Sequence, residues 1–143
     1  MKLIKVYGCS KNPARKDLVR RAAVYFLNVL LPRKRSIQIS IHVQNALNEK
    51  ECIYGECYHI EKSPSKYKIR LDNYQDDYTL IETLAHEFVH VRQFDKGELS
   101  LMYSCNRWKG QYYPDDEFAV TEEPWEVEPR ERESALATEF FNL

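Results

Sequence analysis

His86 and His90 stand four residues apart, and Glu87 directly follows the first, in the run Ala85-His86-Glu87-Phe88-Val89-His90. On an α-helix, positions i and i+4 share one face, a turn apart. Two imidazoles so placed reach a single divalent cation. The carboxylate beside them is positioned to take a proton from a water that the cation acidifies. This is the H-E-x-x-H arrangement of zinc hydrolases, with Zn²⁺ as the expected cofactor. The plain alternative is an ordinary helix carrying two surface histidines.

The arrangement needs a helix, and the neighbouring residues supply one. Tyr78, Ile81, Leu84, Phe88 and Val91 recur at three- and four-residue steps, a helical period. Asp76 and Asp77 precede the run and suit its N-terminus. Neither Pro nor Gly interrupts it before Gly97. At about 100° per residue, His86 and His90 fall roughly opposite the apolar stripe. The stripe then packs on a core while the histidines face a cleft.

A hydrolytic zinc ion takes three protein ligands and leaves a position for water. No histidine follows His90, and Gln93 and Lys96 occupy the places where a longer histidine motif has Gly and His. A downstream carboxylate is the natural third ligand. The segment Pro124-Trp125-Glu126-Val127-Glu128-Pro129 and the residues up to Glu133 offer several. Pro and acids suit a first helical turn, so a helix is expected from about Pro124 to Phe140. Pro129 should kink or restart it. Trp125, Leu136 and Phe140 share one face of that helix and Glu131 points away. Glu126, Glu128 and Glu133 all lie toward the edges, and periodicity leaves the three open. A solvated acidic face is the bland reading of the same residues.

Leu84-Ala85-His86-Glu87-Phe88-Val89-His90-Val91-Arg92-Gln93 resembles the active-site helix of SprT-like and gluzincin metallopeptidases. Trp108-Lys109-Gly110 and Pro124-Trp125-Glu126-Val127-Glu128 resemble a pattern of small phage and bacterial zincins. The resemblance covers roughly the second half of the chain, and only its H-E-x-x-H part is specific. It implies a third ligand from a later helix, in several gluzincins the second glutamate of a Glu-x-Glu pair. That maps onto Glu128, with Glu126 and Glu133 as alternatives. Two features depart from the pattern. Pro129 occupies the place of a small residue, and no third histidine or Cys-rich ribbon of the SprT type is visible.

The resemblance further implies zinc-dependent hydrolysis of peptide bonds in a protein or peptide substrate. Glu87 would act as general base on a metal-activated water and then protonate the leaving amine. Tyr103, Tyr112 and Tyr113 are candidates to assist the oxyanion; tyrosines are also common packing residues. The implied fold is zincin-like α+β: an N-terminal helix, a small mostly antiparallel sheet, the motif helix and a ligand helix. A sheet-edge strand lies above the cleft in such folds, and Tyr67 to Leu71 is the expected candidate, able to hold an extended peptide through main-chain hydrogen bonds. The rival readings are a hydrolase of other amides or esters, a latent enzyme with an N-terminal segment filling the cleft, and a metal-containing nucleic-acid- or protein-binding module that keeps the fold with little or no peptidase activity.

Composition is consistent with one domain over residues 1–143. The chain is 43% hydrophobic with a formal net charge of −1, enough for a modest core and without a global field that favours nucleic acid. Locally, Lys11, Arg15, Lys16, Arg20, Arg21, Arg33, Lys34 and Arg35 cluster in the first quarter. Such a cluster can meet phosphate or simply wet a helix. Cys9, Cys52, Cys57 and Cys105 form no C-x-x-C pair, which argues against a zinc ribbon; Cys52 and Cys57 are near enough in sequence to pair. Without a signal-like apolar stretch or a run of transmembrane length, an intracellular, cytoplasmic protein without membrane contact is expected, its thiols reduced.

Along the chain, strands are expected at Leu3–Tyr7, Ser36–Val43, Tyr54–Ile60 and Tyr67–Leu71, the last two around the turn Ser63-Pro64-Ser65. A first helix should run from Asp17 to Leu31, stopped by Pro32. The segment from Gly97 to Ala119 has weak periodicity.

Overall fold

A computed structural model describes residues 1–61, 65–102, 105–114 and 123–143. Ser63 and Pro64 of the expected turn, and the oxyanion candidate Tyr103, lie outside them.

Alternation of Ile37, Ile39, Ile41 and Val43 with polar residues builds β2 (Ile37–Gln44), whose apolar side chains are all buried. It pairs in parallel with β1 (Lys2–Tyr7) and with β4 (Lys66–Asp72). β3 (Gly55–Glu61) adds antiparallel to β4, giving the order β1-β2-β4-β3. The four-stranded sheet is therefore mainly parallel, contrary to the expectation for it. The reason is the helix α1 (Pro13–Leu30), which returns the chain to the starting end between β1 and β2, as a parallel pair requires. Counted over both sheets, three of the five strand pairings are antiparallel, and the architecture is α+β. Tyr67–Leu71, expected at the sheet edge, is interior and bonded on both sides. The edge is β3 instead, because the antiparallel strand is added outside β4.

α1 begins four residues before the expected Asp17. The Asn12 side chain accepts the Arg15 N–H at 3.0 Å, and Pro13 takes the first helical position, where its missing N–H matters least. A short helix, α2 (Leu47–Glu51), follows β2. The motif helix α3 (Asp77–Asp95) is capped by Asp76, whose carboxylate accepts the Thr79 N–H at 2.8 Å. The weakly periodic segment holds a small antiparallel sheet of β5 (Leu99–Met102), β6 (Cys105–Trp108) and β7 (Gln111–Pro114). A 3₁₀ turn at Pro124–Glu126 then leads into α4 (Val127–Phe141). Pro129 falls in the first turn of α4, so the proline restarts the helix without kinking it.

α3 is the spine of the domain. α1 and the sheet cover one side of it and α4 another. Phe26 of α1 meets Phe88 of α3 and Phe140 of α4, each at 6.1 Å between ring centroids. The sheet sends Ile37, Ile39, Ile41, Ile69 and Leu71 into the same core. No helix among the described residues is long and apolar enough to cross a membrane.

Candidate metal centre

The helical spacing does what the sequence predicts: His86 and His90 present their rings side by side, with centroids 5.1 Å apart. Both Nε2 atoms face one carboxylate oxygen, Glu126 Oε1, at 3.4 Å from His86 and 2.5 Å from His90. One donor atom from each of the three residues lies within 4.8 Å of the others. Among the described residues this is the group of His, Cys, Asp and Glu that could hold a metal ion.

The third member is Glu126 and not Glu128. Glu128 turns to Arg132 at 3.3 Å and Arg92 at 3.8 Å and stands outside the group. The physical reason is the 3₁₀ turn. Glu126 is its last residue and Glu128 lies two residues on, in the first turn of α4, so one continuous helical phase from Pro124 does not apply. Glu133, the remaining alternative, accepts from His86 Nδ1 at 2.7 Å.

The outward ring nitrogens are held as a metal site requires. His86 Nδ1 donates to Glu133, and His90 Nδ1 donates to Gln93 Oε1 at 2.8 Å. An acceptor at Nδ1 fixes the proton there and leaves the Nε2 lone pair for a cation. Gln93 is fully buried and in turn donates to the Trp125 carbonyl at 3.0 Å. One amide thus orients His90 and pins the residue preceding Glu126. The supporting role of Gln93 was not legible in sequence, although its place three residues after His90, one helical turn on, is a usable signal. The donor set of two imidazoles and one carboxylate suits Zn²⁺.

Charge is concentrated here. Burial works against a charged His86, but hydrogen bonding to Glu126 and the charges of Glu87 and Glu126 lift it to about 9. His90 is raised by the same opposition of burial and carboxylates. Glu126 is driven well below the usual carboxylate range: burial would raise it, and the two imidazoles overcome that. Burial pushes Glu87 up to about 7, opposed by His90 and His86 and reinforced by Glu126.

Glu87 is only 5% exposed, yet it lines the cleft of about 350 Å³ that also contains His86, His90 and Glu126. β3 forms the opposite wall through Gly55, Glu56 and Cys57. A side chain at Gly55 would put Cβ 2.6 Å from Thr83 Cγ2 and 3.1 Å from Glu87 Oε2. Thr83 cannot easily yield, since its hydroxyl is bonded to Gln75 and to the Thr79 carbonyl. Glycine lets the strand approach the general-base candidate.

The two described tyrosine candidates are elsewhere. Tyr112 is largely exposed, and Tyr113 packs edge-on against Trp125 and donates to Gln111; neither lines the cleft. His59 stacks on Tyr67, His42 stacks on Tyr7, and neither joins the group. All four cysteines are free, Cys52 and Cys57 included. In the basic cluster, Arg15 binds Asp77 and the Asn73 carbonyl, Arg21 pairs with Asp17, and Lys34 pairs with Asp95. Comparison with family models, with curated proteins and with solved structures finds no match.

Proposed function

We propose that this chain is a zinc-dependent metallopeptidase of the gluzincin type, with His86, His90 and Glu126 as ligands and Glu87 as general base. The observation that carries the reading is the convergence of both Nε2 atoms on Glu126 Oε1 in a cleft shared with a buried glutamate. Bound there, Zn²⁺ supplies Lewis acidity, lowering the pKa of water toward about 7 and polarising a carbonyl.

The chain's own residues do the rest. Burial raises the Glu87 carboxyl, the direction that brings a general base toward the working pH. Glu87 takes the proton of the attacking water and returns it to the leaving amine. Gly55 leaves the space that the Glu87 carboxylate occupies, since a Cβ there would stand 3.1 Å from Oε2. The outer edge of β3, unpaired among the described residues, offers main-chain groups to an extended peptide, taking the part that Tyr67–Leu71 was expected to play. Phe94, Leu99, Leu101 and Trp125 give the cleft an apolar wall for a substrate side chain.

Elemental analysis and a cleavage assay on unfolded casein test this together. The wild-type protein should hold one zinc per chain and cleave casein, and a chelator should stop it. Glu87→Gln should keep the zinc and lose hydrolysis by about 10²–10⁴-fold. A Glu87→Gln protein as fast as wild type removes the base, and a protein that neither contains nor takes up zinc removes the whole reading.

A further inference from the structure

The helices α1, α3 and α4 lie on one side of the four-stranded sheet. On the other face the described helices contribute only the short α2, whose Glu51 reaches Arg70. Strand register writes its rows across β1, β2, β4 and β3. One row is Lys5, Ser40, Lys68 and Tyr58; the next is Tyr7, His42, Arg70 and Glu56. Leu3, Gln38 and Lys66 make a third. A groove of about 260 Å³ crosses this face between Leu3, Tyr7, Ser40 and Ile60.

Charge on the face is asymmetric. Arg70 is taken up by Glu51 and Glu56, and Lys66 by Glu61. Lys5 and Lys68, on either side of Ser40, have no carboxylate partner among the described residues. The two ammonium groups without a carboxylate partner therefore stand on β1 and β4, while the acids gather at β3 and α2. His42 reads the same field. Burial lowers its pKa, and Lys68 and Arg70 lower it further.

The aromatic groups make the partner more specific than "acidic". Tyr7 is 46% exposed and stacks on His42 with ring centroids 4.7 Å apart and planes at 17°. A half-exposed ring stacked on His42, on a face that also carries Lys5 and Lys68, suits a base on the ring and phosphates on the ammonium groups. Gln38 and Ser40 add donors and acceptors beside it. An acidic peptide would use the lysines and leave the stacked pair without a role. We propose that this face binds single-stranded nucleic acid, with Tyr7 as a stacking platform and Lys5 and Lys68 as phosphate contacts. The inference does not depend on the metal centre.

Fluorescence anisotropy with labelled dT20, rU20 and a 20-base-pair duplex, at 50 and 200 mM salt, tests it on the full chain. Both single strands, or one of them, should bind more tightly than the duplex, and the dT20 and rU20 arms separate DNA from RNA. With Lys5 and Lys68 as the two phosphate contacts, binding should weaken about 7-fold between the two salts. Lys5→Gln with Lys68→Gln should flatten the log–log salt slope by about 1.4. Tyr7→Ala should weaken binding about 5- to 100-fold, and Tyr7→Phe should restore it. Circular dichroism melts matching wild type establish that the variants are folded. Absence of binding at 50 mM salt, a duplex bound as tightly as the single strands, variants indistinguishable from wild type, or equal competition by poly-glutamate would each overturn the proposal.

Discussion

Glu126→Gln and Glu128→Gln form a matched pair, because the two residues are chemically identical and two positions apart. Glu126 Oε1 lies 2.5 Å from His90 Nε2 and 3.4 Å from His86 Nε2. Substituting it takes one of three ligands and puts an amide, a much weaker donor, in the same space. Loss of a group that merely orients a ligand weakens metal binding by about 10–100-fold. Loss of the ligand itself should exceed that range, so the expected effect is at least about 100-fold, or about 2.8 kcal/mol. Glu128 instead pairs with Arg132 and Arg92 at the surface. Such exposed pairs contribute about 0.2–1 kcal/mol to folding, and Glu128→Gln should leave zinc affinity within about twofold. Competition titration against a fluorescent chelator measures both, with elemental analysis after dialysis as the check. Full zinc in Glu126→Gln together with loss in Glu128→Gln would refute the ligand assignment, along with the argument that the 3₁₀ turn sets the phase.

Three further expectations follow from the same geometry. Gln93→Ala removes the acceptor from His90 and the donor from the Trp125 carbonyl; zinc affinity should fall about 10–100-fold, with a stability loss of about 2–4 kcal/mol in urea melts from two unmet buried groups. Gly55→Ala should lower the rate of cleavage more than zinc occupancy, since its Cβ presses on Thr83 and Glu87 and on no ligand; unchanged kinetics would show that the strand has slack. In metal-free protein, His86 is raised from its ordinary value to about 9. A raised folded-state pKa stabilises fully below about 6.5 and is lost as pH rises through about 9. The melting temperature of chelator-treated protein should therefore fall across that window, and the decline should be smaller in His86→Ala, where the raised pKa of His90 supplies the remainder.

Much of this arrangement was legible in the residues, and the losses have physical causes. The α3 helix was readable because its cap, its apolar period and its histidine spacing agree. β2 was readable because Ile37, Ile39, Ile41 and Val43 alternate strictly. The start of α1 was missed because the first apolar periodic residue is Leu18, while the capping signal of Asn12 and Pro13 lies a turn earlier. Strand order was hidden for a different reason. Alternation states which face a side chain takes and is silent on which strand is the neighbour, so β4 was placed at an edge that belongs to β3. Periodicity left Glu126, Glu128 and Glu133 open and the Glu-x-Glu resemblance favoured Glu128, while the 3₁₀ turn that brings Glu126 to the histidines is too short to show a period. β5 to β7 are four-residue strands, too short for a period to declare itself.

Because α3 carries Phe88 on one side and His86 and His90 on another, little of it is available for change. A substitution at its buried positions disturbs either the hydrophobic interior or the residues that could hold an ion. The walls of the cavity carry far fewer obligations: Leu101 is 55% exposed, and Glu123 sits ahead of the ligand turn. A directed-evolution library seeking altered cleavage preference should therefore diversify those rim positions and leave the floor untouched.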